Sequence, residues 1–295
     1  MGKRKKINQT RAPFHMLCKP IGPMCNLRCT HCFYLEKNRL YPDEKHWRMP
    51  EKVLDRFTKH YIHAQPEGTQ EVQFAWQGGE PTMLGVDFFR HALELQQKYV
   101  RPRMRIGNAL QTNATLIDDE WAAFLAENDF LVGFSIDGPQ RLHDRYRLDA
   151  KGEGSFAPAM RALEAMKRHK VEFNTLTCVQ NENAEFPEEL YRFLRDEVGT
   201  TFMQFIPIVE PGPDGGMSPE TVSGEQWGKF LCGVFDTWLH EDVGTVFVQH
   251  FDTLLGIVAG YPSSLCVHSP VCGRALAVEH NGDVYACDHF VTPEH

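Results

Sequence analysis

The chain has 295 residues, 42% of them hydrophobic and 24% charged, with a formal net charge of −8. That is the composition of an ordinary globular protein with material for one large core, and its acidity argues against nucleic acid as a partner. The basic start, Met1-Gly2-Lys3-Arg4-Lys5-Lys6, is not followed by the apolar stretch of a signal peptide, lacks the Ser or Thr of a myristoylation signal, and precedes no run long enough to cross a bilayer. Residues 1–12 are expected to form a solvated, disordered tail. Nine cysteines in a chain of cytoplasmic character point to metal rather than to disulfides.

Beyond the tail, strand-like and helix-like segments alternate. Strands are predicted at 14–18, 72–76, 106–111, 131–136, 172–179 and 202–207, as short runs rich in β-branched and aromatic residues between turn formers. Helices are predicted at 50–64, 86–100, 118–127, 156–169 and 187–197. Asp118 and Asp119 suit the positive end of the third helix, and Ser155 suits the N-cap of the fourth. The alternation implies βαβ units on a parallel sheet, hence an α/β fold with an open, partial (β/α)6 barrel over residues 13–240. Functional residues of such barrels lie on the loops that follow the C-terminal strand ends.

After the first predicted strand comes Cys25-Asn26-Leu27-Arg28-Cys29-Thr30-His31-Cys32-Phe33-Tyr34. A structural zinc site takes four ligands, and an electron-transfer [4Fe–4S] cluster takes four cysteines. Three thiolates from one loop suit a cubane with one iron left open, the alternative being free or zinc-binding cysteines. C-x3-C-x2-C followed by an aromatic resembles the cluster loop of the radical S-adenosylmethionine (SAM) enzymes. The resemblance implies that SAM chelates the open iron and is cleaved to a 5′-deoxyadenosyl radical, the protein orienting the cofactor and excluding water.

After the second strand, Gln77-Gly78-Gly79-Glu80-Pro81-Thr82 offers two glycines that let backbone approach a ligand and a carboxylate that could accept from an ammonium group. It is similar to the family's GGEP motif, which holds the amino group of SAM; a plain strand-to-helix turn is the alternative. Ser135-Ile136-Asp137-Gly138-Pro139 closes the fourth strand, with Arg147 shortly after. Arginine forks suit carboxylates. By resemblance Ser135 and Arg147 take the carboxylate and ribose side of SAM, Val209 after the sixth strand contacts the adenine, and His31 stands where the family places an aromatic against the cofactor. The Gly152-Glu153-Gly154 segment lacks the third glycine of a dinucleotide fingerprint. Cys18, Cys178 and Cys232 are expected to be buried, inert thiols.

Near the C-terminus, Cys266, Cys272 and Cys287 surround a predicted hairpin, 276–279 and 284–286, turned at Asn281-Gly282. Three thiolates there would cup a second cluster, with a zinc knuckle or free thiols as alternatives. The segment 241–295, with Cys287-Asp288-His289-Phe290, resembles the start of a SPASM-type auxiliary-cluster domain. Together with Cys32-Phe33-Tyr34 and the 77–82 and 135–139 segments, it resembles the anaerobic sulfatase-maturating enzymes. That resemblance implies oxidation of a Cys or Ser in a sulfatase, within a Cys/Ser-x-Pro-x-Arg motif, to Cα-formylglycine. Asp288 would act as the base, and flavodoxin or ferredoxin would donate electrons. It also implies about another hundred residues beyond His295, so the auxiliary segment is expected to be incomplete. Another SPASM-type peptide maturase, or a non-catalytic iron–sulfur protein, are the competing readings.

Overall fold

The computed structural model describes residues 7–212, 215–272 and 274–292; the first six residues of the expected tail lie outside these. Strands β1 (His15–Lys19), β2 (Glu71–Trp76), β3 (Arg105–Thr112), β4 (Phe130–Ser135), β5 (Phe173–Val179) and β6 (Phe202–Pro207) lie side by side in chain order, all parallel. Helices α1 (Glu51–Ala64), α2 (Val86–Tyr99), α3 (Asp119–Glu127), α4 (Gln140–Tyr146), α5 (Phe156–His169) and α6 (Pro187–Arg192) connect them. This is the open (β/α) arrangement that the alternation implies.

Period two decides which face is which. Val72, Phe74 and Trp76, Leu110, Val132 and Phe134, and Met203 are buried on the helix-covered side. The intervening positions, Gln73, Gln111, Asn174 and Gln204, are half-buried and polar, and they line the inner face. The core is a continuous run of rings. Trp76 packs edge-on to Phe57, Phe88 and Phe89, and Phe89 continues to Trp121 and Phe130 at centroid separations of 5.5–6.5 Å. The indole N–H of Trp76 donates to Asn108 Oδ1 at 2.8 Å, and Asn108 exchanges two bonds with Gln96. Each buried polar atom of that network is therefore satisfied, as burial demands.

The structure departs from expectation at several points. A short helix, α4, follows β4. Ser155 occupies the N-cap position of α5 but makes no capping bond. Its hydroxyl donates to the Arg147 carbonyl, and Asp144 caps the Phe156 N–H at 2.8 Å. Cys232, expected to be buried, is exposed on α7 (Gly224–Glu241), whose start carries a capping box of Ser223 and Gln226. β7 (Phe247–Val248) extends the sheet beyond β6, and α8 (Gln249–Val258) follows it.

The hairpin lies where the Asn-Gly signal puts it, as β8 (Ala275–Glu279) and β9 (Val284–Tyr285), with Gly282 at φ +96°. Its place in the fold has no counterpart in the sequence pattern. β8 pairs parallel with β1, from His15 opposite Ala275 to Lys19 opposite Glu279. The strand that delivers the cysteine loop is thus held on both sides, by β2 and by β8.

Candidate active site at the C-terminal rim of the sheet

β1 ends at Lys19, and the cysteine loop leaves through a turn in which Gly22 N–H donates to the Lys19 carbonyl. The loop is caught on its far side by the segment after α4: Arg28 N–H donates to Leu148 O at 2.6 Å and Thr30 N–H to Tyr146 O at 3.0 Å. Cys29 is buried, and Cys25 and Cys32 are half-buried. Burial pushes the Cys25 thiol up to about 12 and the Cys29 thiol up to about 11. Thiols of that kind ionise when a metal replaces the proton.

Among the described residues, Cys25, Cys29 and Cys32 do not bring their sulfurs within 4.8 Å of one another. Thiolates on a single zinc sit about 3.8 Å apart, given tetrahedral Zn–S bonds of about 2.3 Å. Three thiols from one loop are the donor set of a cluster, in which each thiolate takes a different iron. Leu27 N–H donates to Cys25 Sγ at 3.3 Å and the Asn113 amide at 3.7 Å, the kind of N–H···S contact that tunes such a centre.

The GGEP loop lies directly against this one. Gly79 N–H donates to Gly22 O at 2.7 Å and Glu80 N–H to Met24 O at 2.8 Å. A Cβ at Gly79 would lie 1.9 Å from Met24 O; at Gly78, which has φ +129°, it would meet Gly22 O at 3.0 Å. What the glycines admit is the backbone of the cysteine loop. Glu80 is buried, and Thr82, Thr112 and the Asn113 N–H donate to its carboxylate at 2.6–3.0 Å. Burial raises its pKa against these bonds. Glu80 thereby fixes the ends of both β2 and β3.

Ser135 ends β4 on the inner face, where its hydroxyl accepts from Gln111 at 2.8 Å. Arg147 is buried, and its fork closes on Asp137 at 2.7 and 3.1 Å. The second arm also reaches Cys178 Sγ at 3.6 Å. Burial opposes the Asp137 charge, yet Arg147, with His31 and His143, holds its pKa below the usual carboxylate range. His31 is buried beside the pair, 3.9 Å from Asp137 Oδ2, with Gln180 on its Nδ1 and the Tyr146 ring edge-on at 6.0 Å. Burial lowers its pKa to about 4, so the ring is neutral at pH 7. Cys178, expected to be inert, stands half-buried within 4.8 Å of both His31 and Asp137.

Across the rim lies a pairing that sequence reasoning missed. Lys19 is only 1% exposed, and its ammonium sits 2.6 Å from Asp288 Oδ1, 3.2 Å from Gln77 Oε1 and 4.5 Å from the centroid of the Tyr34 ring. The Tyr34 hydroxyl donates to Glu279, the register partner of Lys19. A lysine at a strand end before a Pro-rich turn is usually solvated, so nothing local in the sequence marks it.

A cleft of about 650 Å³ opens beside Cys32, lined by Thr30, His31, Phe33, Lys37, Glu210 and Thr292 among others. Val209 lies exposed on the loop after β6. Cys266 and Cys272 are exposed and Cys287 half-buried with His289 Nδ1 3.6 Å away. Like the first three, they do not crowd within single-metal distance among the described residues. A hollow of about 1610 Å³ at the opposite end of the strands, lined by Lys59, Arg101 and Arg103, contains none of these residues.

The family model described as Radical SAM superfamily matches residues 20–194. A serine-type anaerobic sulfatase-maturating enzyme of Bacteroides thetaiotaomicron is 43% identical, over 96% of this chain and 71% of its own length. A cysteine-type anaerobic sulfatase-maturating enzyme of Clostridium perfringens is 37% identical, over 95% of this chain and 75% of its own. The solved structure of native anSMEcpe with bound AdoMet and Cp18Cys peptide superposes with a TM-score of 0.84 at 36% identity, covering 95% of this chain and 75% of that one. The chain belongs to the radical SAM superfamily and, within it, to the anaerobic sulfatase-maturating enzymes.

Proposed function

We propose that this chain oxidises a cysteine or serine side chain of a sulfatase polypeptide to Cα-formylglycine. The observation that carries the reading is the joining of two distant segments: Asp288 reaches the strand end that delivers Cys25, Cys29 and Cys32, through its ion pair with Lys19. Cys25, Cys29 and Cys32 would hold a [4Fe–4S] cluster with one open iron, and the rim formed by Gly78, Gly79, Glu80 and Ser135 would seat SAM. When bound, cluster and SAM supply a 5′-deoxyadenosyl radical, a reagent able to take hydrogen from an unactivated side-chain carbon.

What then remains is one proton and one electron, whose loss leaves the aldehyde from serine and a thioaldehyde from cysteine. Water then hydrolyses the thioaldehyde to the aldehyde, and its sulfur leaves as hydrogen sulfide. Asp288, at 14% side-chain exposure on the rim, would accept the thiol or hydroxyl proton, a role that depends on reach and pKa. The electron needs an acceptor, and Cys266, Cys272 and Cys287 are the residues that would hold an auxiliary cluster. His31 and Arg147, both against Asp137, would complete the cofactor's seat beneath the cysteine loop. Gln77 and Val209 would contribute to the cofactor's seat. The half-buried polar inner face and the 650 Å³ cleft suit an extended peptide of the Cys/Ser-x-Pro-x-Arg type. All described cysteines are free, which accords with a cytoplasmic setting where flavodoxin or ferredoxin could reduce the cluster. No described helix is long and apolar enough to cross a membrane.

The test is anaerobic incubation of the reconstituted, reduced protein with SAM and Cys- or Ser-containing peptides of that type. A hydrazide-reactive aldehyde at the target residue is the expected product. A crosslinked peptide inert to hydrazides would assign a different maturase chemistry, and 5′-deoxyadenosine release over an unchanged peptide would refute the reading.

A further inference from the structure

We propose that Lys19 is the positioning residue for Asp288: its buried ammonium holds the Asp288 carboxylate on the rim and ties the C-terminal loop to the first strand. This rests on the reading of Asp288 as the group that faces the substrate, and it assigns a role to a residue with no part in the cluster or GGEP loops.

A lysine is almost never fully buried unless it is paired. Lys19 is 1% exposed, and its surroundings come from three separate elements. Asp288 lies in a short 3-10 turn after β9, Gln77 follows β2, and Tyr34 follows the cysteine loop. An ammonium has three donors and no acceptor; it donates to Gln77 Oε1, pairs in charge with the Asp288 carboxylate and lies over the Tyr34 ring. The Tyr34 hydroxyl is turned away to Glu279, so the ring presents its π face to the cation, an arrangement favoured when water is excluded.

Asp288 depends on this lysine. Among the described residues Lys19 is its only ion-pair partner. The turn that carries it is three residues long, Asp288–Phe290, with Phe290 exposed and no side-chain cap. Such a turn does not fix a carboxylate by itself. Lys19 does, because β1 is a central strand paired on both sides. A carboxylate displaced by about 1 Å can cost about a hundredfold in proton transfer. The lysine's effect should therefore fall on the step Asp288 serves, rather than on cofactor cleavage.

The measured quantity is aldehyde formed per 5′-deoxyadenosine released, for the reconstituted chain and for Lys19→Met, Lys19→Gln, Lys19→Arg and Asp288→Asn. Lys19→Met should lower that ratio by about tenfold or more, and Lys19→Arg, which keeps the ion pair, should recover most of it. If both products fall together and the ratio holds, Lys19 is only structural and the proposal is overturned. Should Lys19→Met fail to fold, Lys19→Gln decides: a polar group remains but the ion pair does not, and an unchanged ratio overturns the proposal while a lowered one supports it. Asp288→Asn separates the two layers. If it leaves the ratio intact, the reading of Asp288 falls; if it collapses the ratio while the Lys19 variants do not, only the positioning role falls.

Discussion

Gly79→Ala tests whether the GGEP glycines serve loop-on-loop packing. The added methyl would sit 1.9 Å from Met24 O, 2.4 Å from Met24 C and 2.8 Å from Met24 N. All three are backbone atoms, so no side chain can swing aside. Restoring an ordinary contact of 3.4 Å requires the loops to part by about 1.5 Å. That breaks Gly79 N–H to Gly22 O and Glu80 N–H to Met24 O, now 2.7 and 2.8 Å. Two hydrogen bonds at about 1 kcal/mol each, with about 1–3 kcal/mol more for groups left unsatisfied, give about 3–5 kcal/mol. At about 1.4 kcal/mol per decade, the closed arrangement of the two loops loses about two to three and a half orders of magnitude in population.

The assay is anaerobic iron and sulfide content after reconstitution, followed by the EPR spectrum of the reduced protein with and without SAM. Gly224→Ala is the control, because a Cβ there meets nothing within 4 Å. Gly79→Ala should lose most of its cluster or, where iron remains, the SAM-induced change in the spectrum; Gly224→Ala should match the parent. A Gly79→Ala protein with full iron and the parent's response to SAM would refute the packing argument.

Two further outcomes follow from the buried groups beneath the loop. Arg147→Met leaves Asp137 charged, buried and without its fork, at a cost of about 3–5 kcal/mol; Asp137→Asn in the same chain should return part of it, as a lowered and then partly restored denaturation midpoint. An additive double variant would show that the pair is not coupled. His143 is buried with Asp137 N–H on its Nδ1 and Ser155 on its Nε2, and burial lowers its pKa to about 4. Because the folded-state pKa is depressed, the unfolded chain takes the proton first. Stability is therefore full above about 6.5 and falls as pH drops through it, by about 2 kcal/mol at pH 5 for this one site. Urea unfolding at pH 7 and pH 5 should show a smaller difference for His143→Gln than for the parent, and equal differences would discount the histidine.

The six parallel strands and the positions of the motifs were legible because both depend on local signals. β-Branched runs mark the strands, and loops after their C-terminal ends collect the functional residues. What the sequence could not carry is proximity between distant segments. Nothing local says that residues 275–279 lie beside 15–19, so the hairpin was visible and its docking was not. The same limit applies to single residues. Ser155 has the chemistry of a cap, but Asp144 is closer to the Phe156 N–H. Gly79 announces a close approach without naming what approaches. Lys19 has no motif, and its meaning comes from an aspartate 269 positions away, the difference between 288 and 19.

The same reasoning shows how Arg147 can hold the cysteine loop in place from a distance. The carbonyls that catch the cysteine loop, Tyr146 and Leu148, are the immediate neighbours of Arg147 in the chain. Its own carbonyl is taken by the Ser155 hydroxyl and N–H, and its side chain is anchored on Asp137, which receives the Cys178 N–H at 2.9 Å. The Arg147–Asp137 pair thus clamps the catching strand to the ends of β4 and β5. Loosening it would move the two carbonyls that position Arg28 and Thr30, and with them Cys29, which lies between those residues. On this geometry Arg147→Met should lower SAM binding and cluster retention together with stability. An arginine that simply contacted SAM would lower SAM binding alone.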